Sequence, residues 1–139
     1  MDLRLELVLV PVTDVDRAKV FYTEKLGFSL DVDTQPTDEL RVVQLTPPGS
    51  ACSITIGKGI TDAEPGSYRG THLVVTDIAA ARAELVARGV DVSDVRHFDR
   101  AAGEWRPGSD PERATYNSFA DFADPDGNTW VLQEVPESS

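Results

Sequence analysis

Apolar residues alternate along the first extended stretch: Leu7 and Leu9 lie on one side, Val8 and Val10 on the other. The period then changes. Val15, Ala18, Phe21, Tyr22 and Leu26 recur at helical spacing among Asp16, Arg17, Lys19, Glu24 and Lys25, which predicts an amphipathic helix. Thr13 and Asp14 offer capping oxygens, Thr13 and Asp16 stand at capping-box spacing, and Gly27 is placed to end the helix in a left-handed conformation. Alternation resumes over Phe28–Asp33. A turn over Gln35–Asp38, a strand over Leu40–Leu45, a tight connection through Pro47, Pro48 and Gly49, and a strand over Ala51–Ile56 follow. Strands joined by turns this short pair antiparallel, whereas the helical crossover makes the first strand parallel to the second. The unit is βαβββ.

The pattern then repeats. Leu73-Val-Val-Thr-Asp77-Ile78 matches Val10-Pro-Val-Thr-Asp14-Val15 at a displacement of 63 positions. Ile78, Ala81, Leu85 and Val86 form a second apolar helix face that stops at Gly89. A strand lies within Val90–Phe98, a long polar loop over Asp99–Thr115, and a strand–turn–strand over Tyr116–Phe122, Asp124–Gly127 and Asn128–Val135. The reading is therefore α+β: two βαβββ modules (1–57 and 70–135) with a linker over 58–69 and a tail over 136–139, making one domain. Duplicated units of this kind pair by pseudo-twofold symmetry, joining their curved mixed sheets into a half-open cup with the helices outside.

Composition narrows the function. A chain of 139 residues that is 40% hydrophobic has enough apolar material for a core. Its net charge of −11 repels phosphate backbones and anionic bilayers, which argues against nucleic-acid and membrane-surface roles and otherwise serves solubility. Cys52 is the sole cysteine, so no intrachain disulfide forms. Charges at Asp2, Arg4 and Glu6 interrupt the apolar N-terminus, against a signal peptide or spanning segment, and the expected location is the cytoplasm.

The strings VPVTDVDRAKVFYTEKLGF, THLVVTDIAAARAELVARGV and FADPDGNTWVLQE resemble the vicinal oxygen chelate superfamily, which includes glyoxalase I, extradiol dioxygenases, fosfomycin-resistance enzymes and bleomycin-binding proteins. The resemblance covers nearly the whole chain. It implies paired βαβββ modules around a small ligand, with a divalent metal often held by His, Gln or Glu from the first and last strands of each module, and it raises a homodimer. Carried over position by position, those ligand sites fall on Leu7, Ser53, Gly70 and Val131; Ser53 rests on aligning Pro48-Gly49-Ser50 with Asp126-Gly127-Asn128. None offers imidazole or carboxylate, whereas such metal sites need about three protein donors. The usual metal is therefore not expected, and no cofactor is assigned, although displaced ligands stay open.

Residues two positions further along each strand share the same face. They are Leu9, Thr55, His72 and Gln133, expected as a ring one layer along with His72 and Gln133 as its polar members. His72 can hydrogen-bond a ligand or serve as general acid–base catalyst; the plain alternative is a histidine satisfied by its neighbours. Gln133 can orient a carbonyl or hydroxyl, or bond to backbone. Phe98, Trp105 and Tyr116 border or occupy the long loop, where rings can stack on a flat ligand or pin the loop. Trp130 has core parity, His97 fits no pattern, Arg41 is expected in solvent, Cys52 reads as core filling beside Ile54 and Ile56, and Asp124–Gly127 reads as a turn, not a calcium loop.

Two functions compete. One is a metal-independent binding protein that sequesters an apolar or aromatic molecule against Leu7, Leu9, Ser53, Thr55, His72, Phe98, Trp105, Tyr116, Val131 and Gln133. The other is a lyase, isomerase or dioxygenase of the same superfamily, either metal-free with His72 as the catalytic residue or using displaced metal ligands.

Overall fold

A computed structural model describes residues 1–137 of the chain, so Ser138 and Ser139 of the expected tail lie outside the described residues. The described residues form two compact units: residues 1–68 together with 124–128, and residues 69–123 together with those from 129 onward. Each carries its own mixed sheet, and the α+β class holds.

The first unit contains β1 (Leu7–Leu9), α1 (Val15–Val20), β2 (Ser29–Thr37), β3 (Leu40–Thr46) and β4 (Ser53–Lys58). The sheet order is β1-β4-β3-β2, with β1 parallel to β4 and the other pairs antiparallel. The expected pairing of β1 with β2 is thus corrected. The helical crossover delivers the chain to the far edge, and the two hairpins bring it back to β1. β2 also runs further than expected, through Gln35 and Pro36 to Thr37, because register shifts at two points let the edge strand accommodate the proline.

Asp14, not Thr13, caps α1: its Oδ1 accepts from the Arg17 amide at 3.0 Å. The Thr13–Asp16 capping box does not form, because the Thr13 hydroxyl donates to Asp126 Oδ1 at 2.6 Å. Beyond Val20 the helix widens into a π turn over Phe21–Lys25. Gly27, at φ 76°, reverses the chain, and the Phe28 amide closes the end on the Tyr22 carbonyl at 2.9 Å. The buried face of the sheet follows the predicted parity. Val43, Leu45, Ile54 and Ile56 pack with Val10, Ala18, Phe21, Tyr22 and Phe28.

Arg41 is not free in solvent. It reaches Asp33 at 3.0 Å and Asp16 at 2.8 Å, and Lys19 meets Asp33 at 2.7 Å, so the network ties α1 to β2 and β3. The Arg41 guanidinium, with the Lys19 ammonium, pulls the Asp33 carboxyl down to about 2, and Asp33 in turn raises Arg41 further. Cys52 lies just before β4 instead of within it, half-buried, its thiol donating to the Ser53 carbonyl at 3.5 Å.

The turn over 124–128 belongs to this unit, and its hydrogen bonds show why the sequence Asp-Pro-Asp-Gly-Asn is used. Asp124 Oδ1 accepts the amides of Asp126 and Asn128, both at 2.9 Å. Asp124 Oδ2 accepts the Tyr22 hydroxyl at 2.7 Å and Asn128 Nδ2 at 2.8 Å, and Asn128 Nδ2 also donates to the Pro11 carbonyl at 2.8 Å. The turn therefore fastens the junction between β1 and α1.

The second unit contains β5 (Thr71–Val75), α2 (Ile78–Ala87), β6 (Arg96–Asp99), β7 (Glu104–Pro107), β8 (Ser118–Ala123) and β9 (Thr129–Glu134). Its five strands run β5-β9-β8-β6-β7, with β5 parallel to β9. Asp77 caps α2 as Asp14 caps α1, its Oδ1 accepting from Ala80 at 3.0 Å. Leu132, Ala120, Phe122 and Trp130 are buried on the sheet side that takes Ile78, and Trp130 stacks on Phe122 with centroids 6.5 Å apart. Val86 departs from the expected apolar helix face and is exposed. The predicted polar loop over Asp99–Thr115 holds an extra strand. Asp99 Oδ1 accepts from Ala102 at 3.1 Å, Gly103 turns at φ 71°, and Arg106 closes on Asp99 at 2.6 Å, so Glu104–Pro107 folds back on β6.

Candidate functional site

Residues opposite one another in neighbouring strands share a sheet face. In the second unit His72 lies opposite Val131, Val131 opposite Asp121, Gln133 opposite Phe119, Phe119 opposite Arg96 and Phe98 opposite Trp105. These residues form the face turned away from the buried Leu132, Ala120 and Trp130. The sequence-predicted His72, Phe98, Trp105, Val131 and Gln133 are thus brought together on one surface.

Aromatic rings run across it. His72 meets Phe119 edge-on at 6.5 Å, Phe119 meets Trp105 at 5.5 Å, and Trp105 meets Phe98 at 5.3 Å, all near perpendicular. Such edge-to-face contacts brace each ring and leave flat apolar area for another partner. Trp105 is 54% exposed although it is the largest side chain of the row. Arg96 lies over both Trp105, at 5.5 Å, and Phe119, at 5.7 Å, and its guanidinium bonds to Asp121 at 2.7 and 3.3 Å. Sequence reasoning missed Arg96, Phe119 and Asp121. The alternation Arg96-His97-Phe98 was the available signal, but β6 is only four residues long and its register was not fixed by its sequence. His97, on the opposite parity, is buried, with Nδ1 2.8 Å from the Gly108 carbonyl oxygen.

Tyr116 adjoins this face. Its φ of 66° is in the left-handed region, an uncommon place for a bulky residue, and its ring is exposed. Two bonds hold it there: the Tyr116 amide donates to the Glu134 carbonyl at 2.9 Å, and Gln133 Nε2 donates to the Tyr116 carbonyl at 3.1 Å. Gln133 therefore serves backbone in this structure. The preceding segment is anchored by Arg113, which also has positive φ and bonds to the buried Glu134 carboxylate at 3.1 and 3.2 Å. Glu134 Oε2 accepts the Ile78 amide at 2.9 Å as well. Asp110 completes the anchoring. It accepts from Glu112 and Ala114 at 3.1 Å each and from Asn117 Nδ2 at 3.0 Å, and these bonds, the Asn117 amide above all, hold its carboxyl below the ordinary range.

Leu7, Leu9, Ser53 and Thr55 gather on the first sheet, where Leu7 pairs with Ser53 and Leu9 with Thr55. Leu9 is exposed. Ser53 is 2.7 Å from the Thr46 hydroxyl, which donates to Asp31, whereas the buried Thr55 hydroxyl has no protein partner. The first unit also holds a cleft of about 400 Å³ lined in part by Thr13, Val15, Gly57, Lys58 and Pro65; none of the sequence-predicted site residues lines it.

The register changes one carried-over position. His72, not Gly70, stands opposite Val131, and Gly70 donates to the Thr129 carbonyl at 3.0 Å. The helix caps Asp14 and Asp77 make His72 the counterpart of Leu9, whose partner is Thr55. Thr55 rather than Ser53 is therefore the first-sheet counterpart of Val131. The short turn alignment was off by two residues, because parity tolerates a shift of two without penalty. The donor chemistry does not improve with the change. Thr55 offers only a hydroxyl, Leu7 and Val131 offer none, and Gly70 at φ 71° is a conformation that disfavours any side chain. These positions do not fit the divalent ion of the related enzymes. Among the described residues no three His, Cys, Asp or Glu side chains cluster in a metal-binding arrangement, and no helix is long and apolar enough to cross a membrane.

Residues 4–132 match the family model for the Glyoxalase/Bleomycin resistance protein/Dioxygenase superfamily. Among solved structures, TnmS3, an antibiotic binding protein from Streptomyces sp. CB03234, is 34% identical and covers 98% of each chain with a TM-score of 0.74. A superfamily member from Sphaerobacter thermophilus DSM 20745 is 28% identical over 96% of this chain and 98% of its own, with a TM-score of 0.73. The uncharacterized protein YetH of Bacillus subtilis is 26% identical, covering 91% of this chain and 94% of its own.

Proposed function

Because the chain belongs to the Glyoxalase/Bleomycin resistance protein/Dioxygenase superfamily, we propose that it uses this fold to bind a small aromatic molecule and works without the superfamily's metal. The observation that carries the reading is the braced row His72, Phe119, Trp105 and Phe98 on an open sheet face. Large rings left half in water favour covering by another flat apolar surface, at roughly 25 cal/mol per Å² of apolar area removed from water. Arg96, Asp121 and Gln133 beside the row are bonded to protein partners, as suits retention of a ligand more than its conversion. The 34% identity to an antibiotic binding protein supports sequestration as the purpose.

The test is a thermal-shift screen of aromatic natural products, antibiotics included, in the presence and absence of a chelator. A stabilising compound that is recovered chemically unchanged, with a shift insensitive to chelation and lost in Trp105→Ala, is the expected result. Turnover abolished by His72→Ala would establish the enzyme instead, and a requirement for a divalent ion would overturn metal independence.

A further inference from the structure

Resting on that reading of the second sheet, we infer that the ligand is an uncharged aromatic bearing a hydrogen-bond donor beside an acceptor, as in a primary amide, and that Arg96 and Asp121 together select it. Arg96 is the one cation set against the aromatic row among the described residues, and it would ordinarily mark a site for a carboxylate or phosphate. Its surroundings argue otherwise. The guanidinium lies over Trp105 and Phe119, which holds it against the row, and it spends one N–H from each terminal nitrogen on the two oxygens of Asp121. A bidentate pair of this kind has almost no net charge to offer an incoming anion.

What it does offer is paired polarity. Arg96 has five N–H donors and spends two on Asp121; the carboxylate keeps unused lone pairs. Both side chains remain partly open to solvent, at 36% and 44%. Asp121 is held from behind, its amide donating to the Ser93 hydroxyl and its carbonyl accepting the Ser93 amide, each at 2.8 Å. A group that accepts from the guanidinium and donates to the carboxylate matches this edge. A carboxylate matches only the first half and meets Asp121 with like charge, on a chain whose net charge is already −11. A bare hydrocarbon covers the remaining guanidinium N–H donors and carboxylate lone pairs without meeting them.

Three ligands of one shape separate these cases: naphthalene, 2-naphthamide and 2-naphthoate, titrated at neutral pH into the full chain while the Trp105 indole and Arg96 Nε resonances are followed by NMR. The expected order is amide, then hydrocarbon, then carboxylate, with the amide at least ten-fold tighter than the carboxylate. Asp121→Asn is expected to narrow the last comparison, improving the naphthoate about ten-fold by releasing the charge of Arg96, and Arg96→Met to bring amide and hydrocarbon together. If the hydrocarbon binds and the amide binds no better, or the naphthoate binds best in the unaltered protein, the ligand class is wrong while the aromatic face stands. If none of the three moves either resonance, the binding face itself fails, and the inference with it.

Discussion

The hydroxyl of Tyr22 donates to Asp124 Oδ2 at 2.7 Å, joining residues 102 positions apart with no exposure of the Tyr22 ring. One oxygen pair on Asp124 thus serves the π turn after α1 and the amides of its own turn together. Tyr22→Phe keeps the ring and strands one acceptor lone pair, so a loss of about 1–2 kcal/mol is expected in urea unfolding. Asp124→Ala removes the acceptor of the tyrosine hydroxyl, of two backbone amides and of one Asn128 side-chain N–H, and is expected to cost at least twice as much. Equal losses for the two variants would show that the turn is satisfied by water instead.

Glu134 is the second buried carboxylate on which an element depends. Glu134→Ala removes the partner of the Ile78 amide at the start of α2 and of Arg113. A loss of roughly 2–4 kcal/mol in chemical denaturation is expected, with the segment over 110–116 losing hydrogen-exchange protection first. Glu134→Gln keeps one acceptor and is expected to recover part of that loss.

Acid acts on the first unit through Asp33. Its carboxyl titrates at about 2 in the folded protein, below the ordinary carboxylate range, because Arg41 and Lys19 bond to it. A depressed folded value means the stabilisation is complete above about pH 4 and disappears as the pH falls toward 2. With the group partly in solvent, roughly 1 kcal/mol is expected. Unfolding curves collected from pH 5 to 2 should flatten in Asp33→Asn by that amount; an unchanged slope would remove the network from the stability of the fold.

Gly57 is required for close approach, not for a turn. A Cβ there would lie 2.0 Å from the Arg41 carbonyl oxygen on β3, so Gly57→Ala is expected to cost about 1–3 kcal/mol by forcing β3 and β4 apart. Gly49→Ala, where a Cβ meets nothing within 4 Å but φ is 79°, is expected to cost about 1 kcal/mol from backbone strain alone. Calorimetry on both variants checks the order.

Trp105 is half-exposed on an outer strand, so Trp105→Ala is expected to leave stability within about 0.5 kcal/mol while weakening any aromatic ligand at least ten-fold. A fall in stability with unchanged ligand affinity would make the ring a hairpin brace only.

Much of this was legible in the sequence. The apolar period, the caps and Gly27 located β1 and α1, and the repeated Thr-Asp string located α2, because local chemistry sets helix starts. The parity of His72, Val131 and Gln133 was correct for the same reason. Registers between distant strands were not legible: a slip of two preserves every facing side chain, so Thr55 was displaced by Ser53 as the counterpart of Val131. β7 escaped because Glu104-Trp-Arg-Pro107 has no apolar alternation; it is held by Asp99 and Gly103, a turn whose bonds are invisible until the chain closes. Arg41 departs from the solvent expectation because Asp33 on β2 and Asp16 on α1 meet it only once the hairpin registers and the helix packs.

The segment over 124–128 is encoded late and yet completes the early half. A fragment ending at Tyr68 would therefore be synthesised without the loop that ties down its own helix, and a fragment starting at Arg69 would carry that loop with nothing of its own to fasten. Split-protein reporters cut at this apparently natural seam should need the second piece present before the first gains full order.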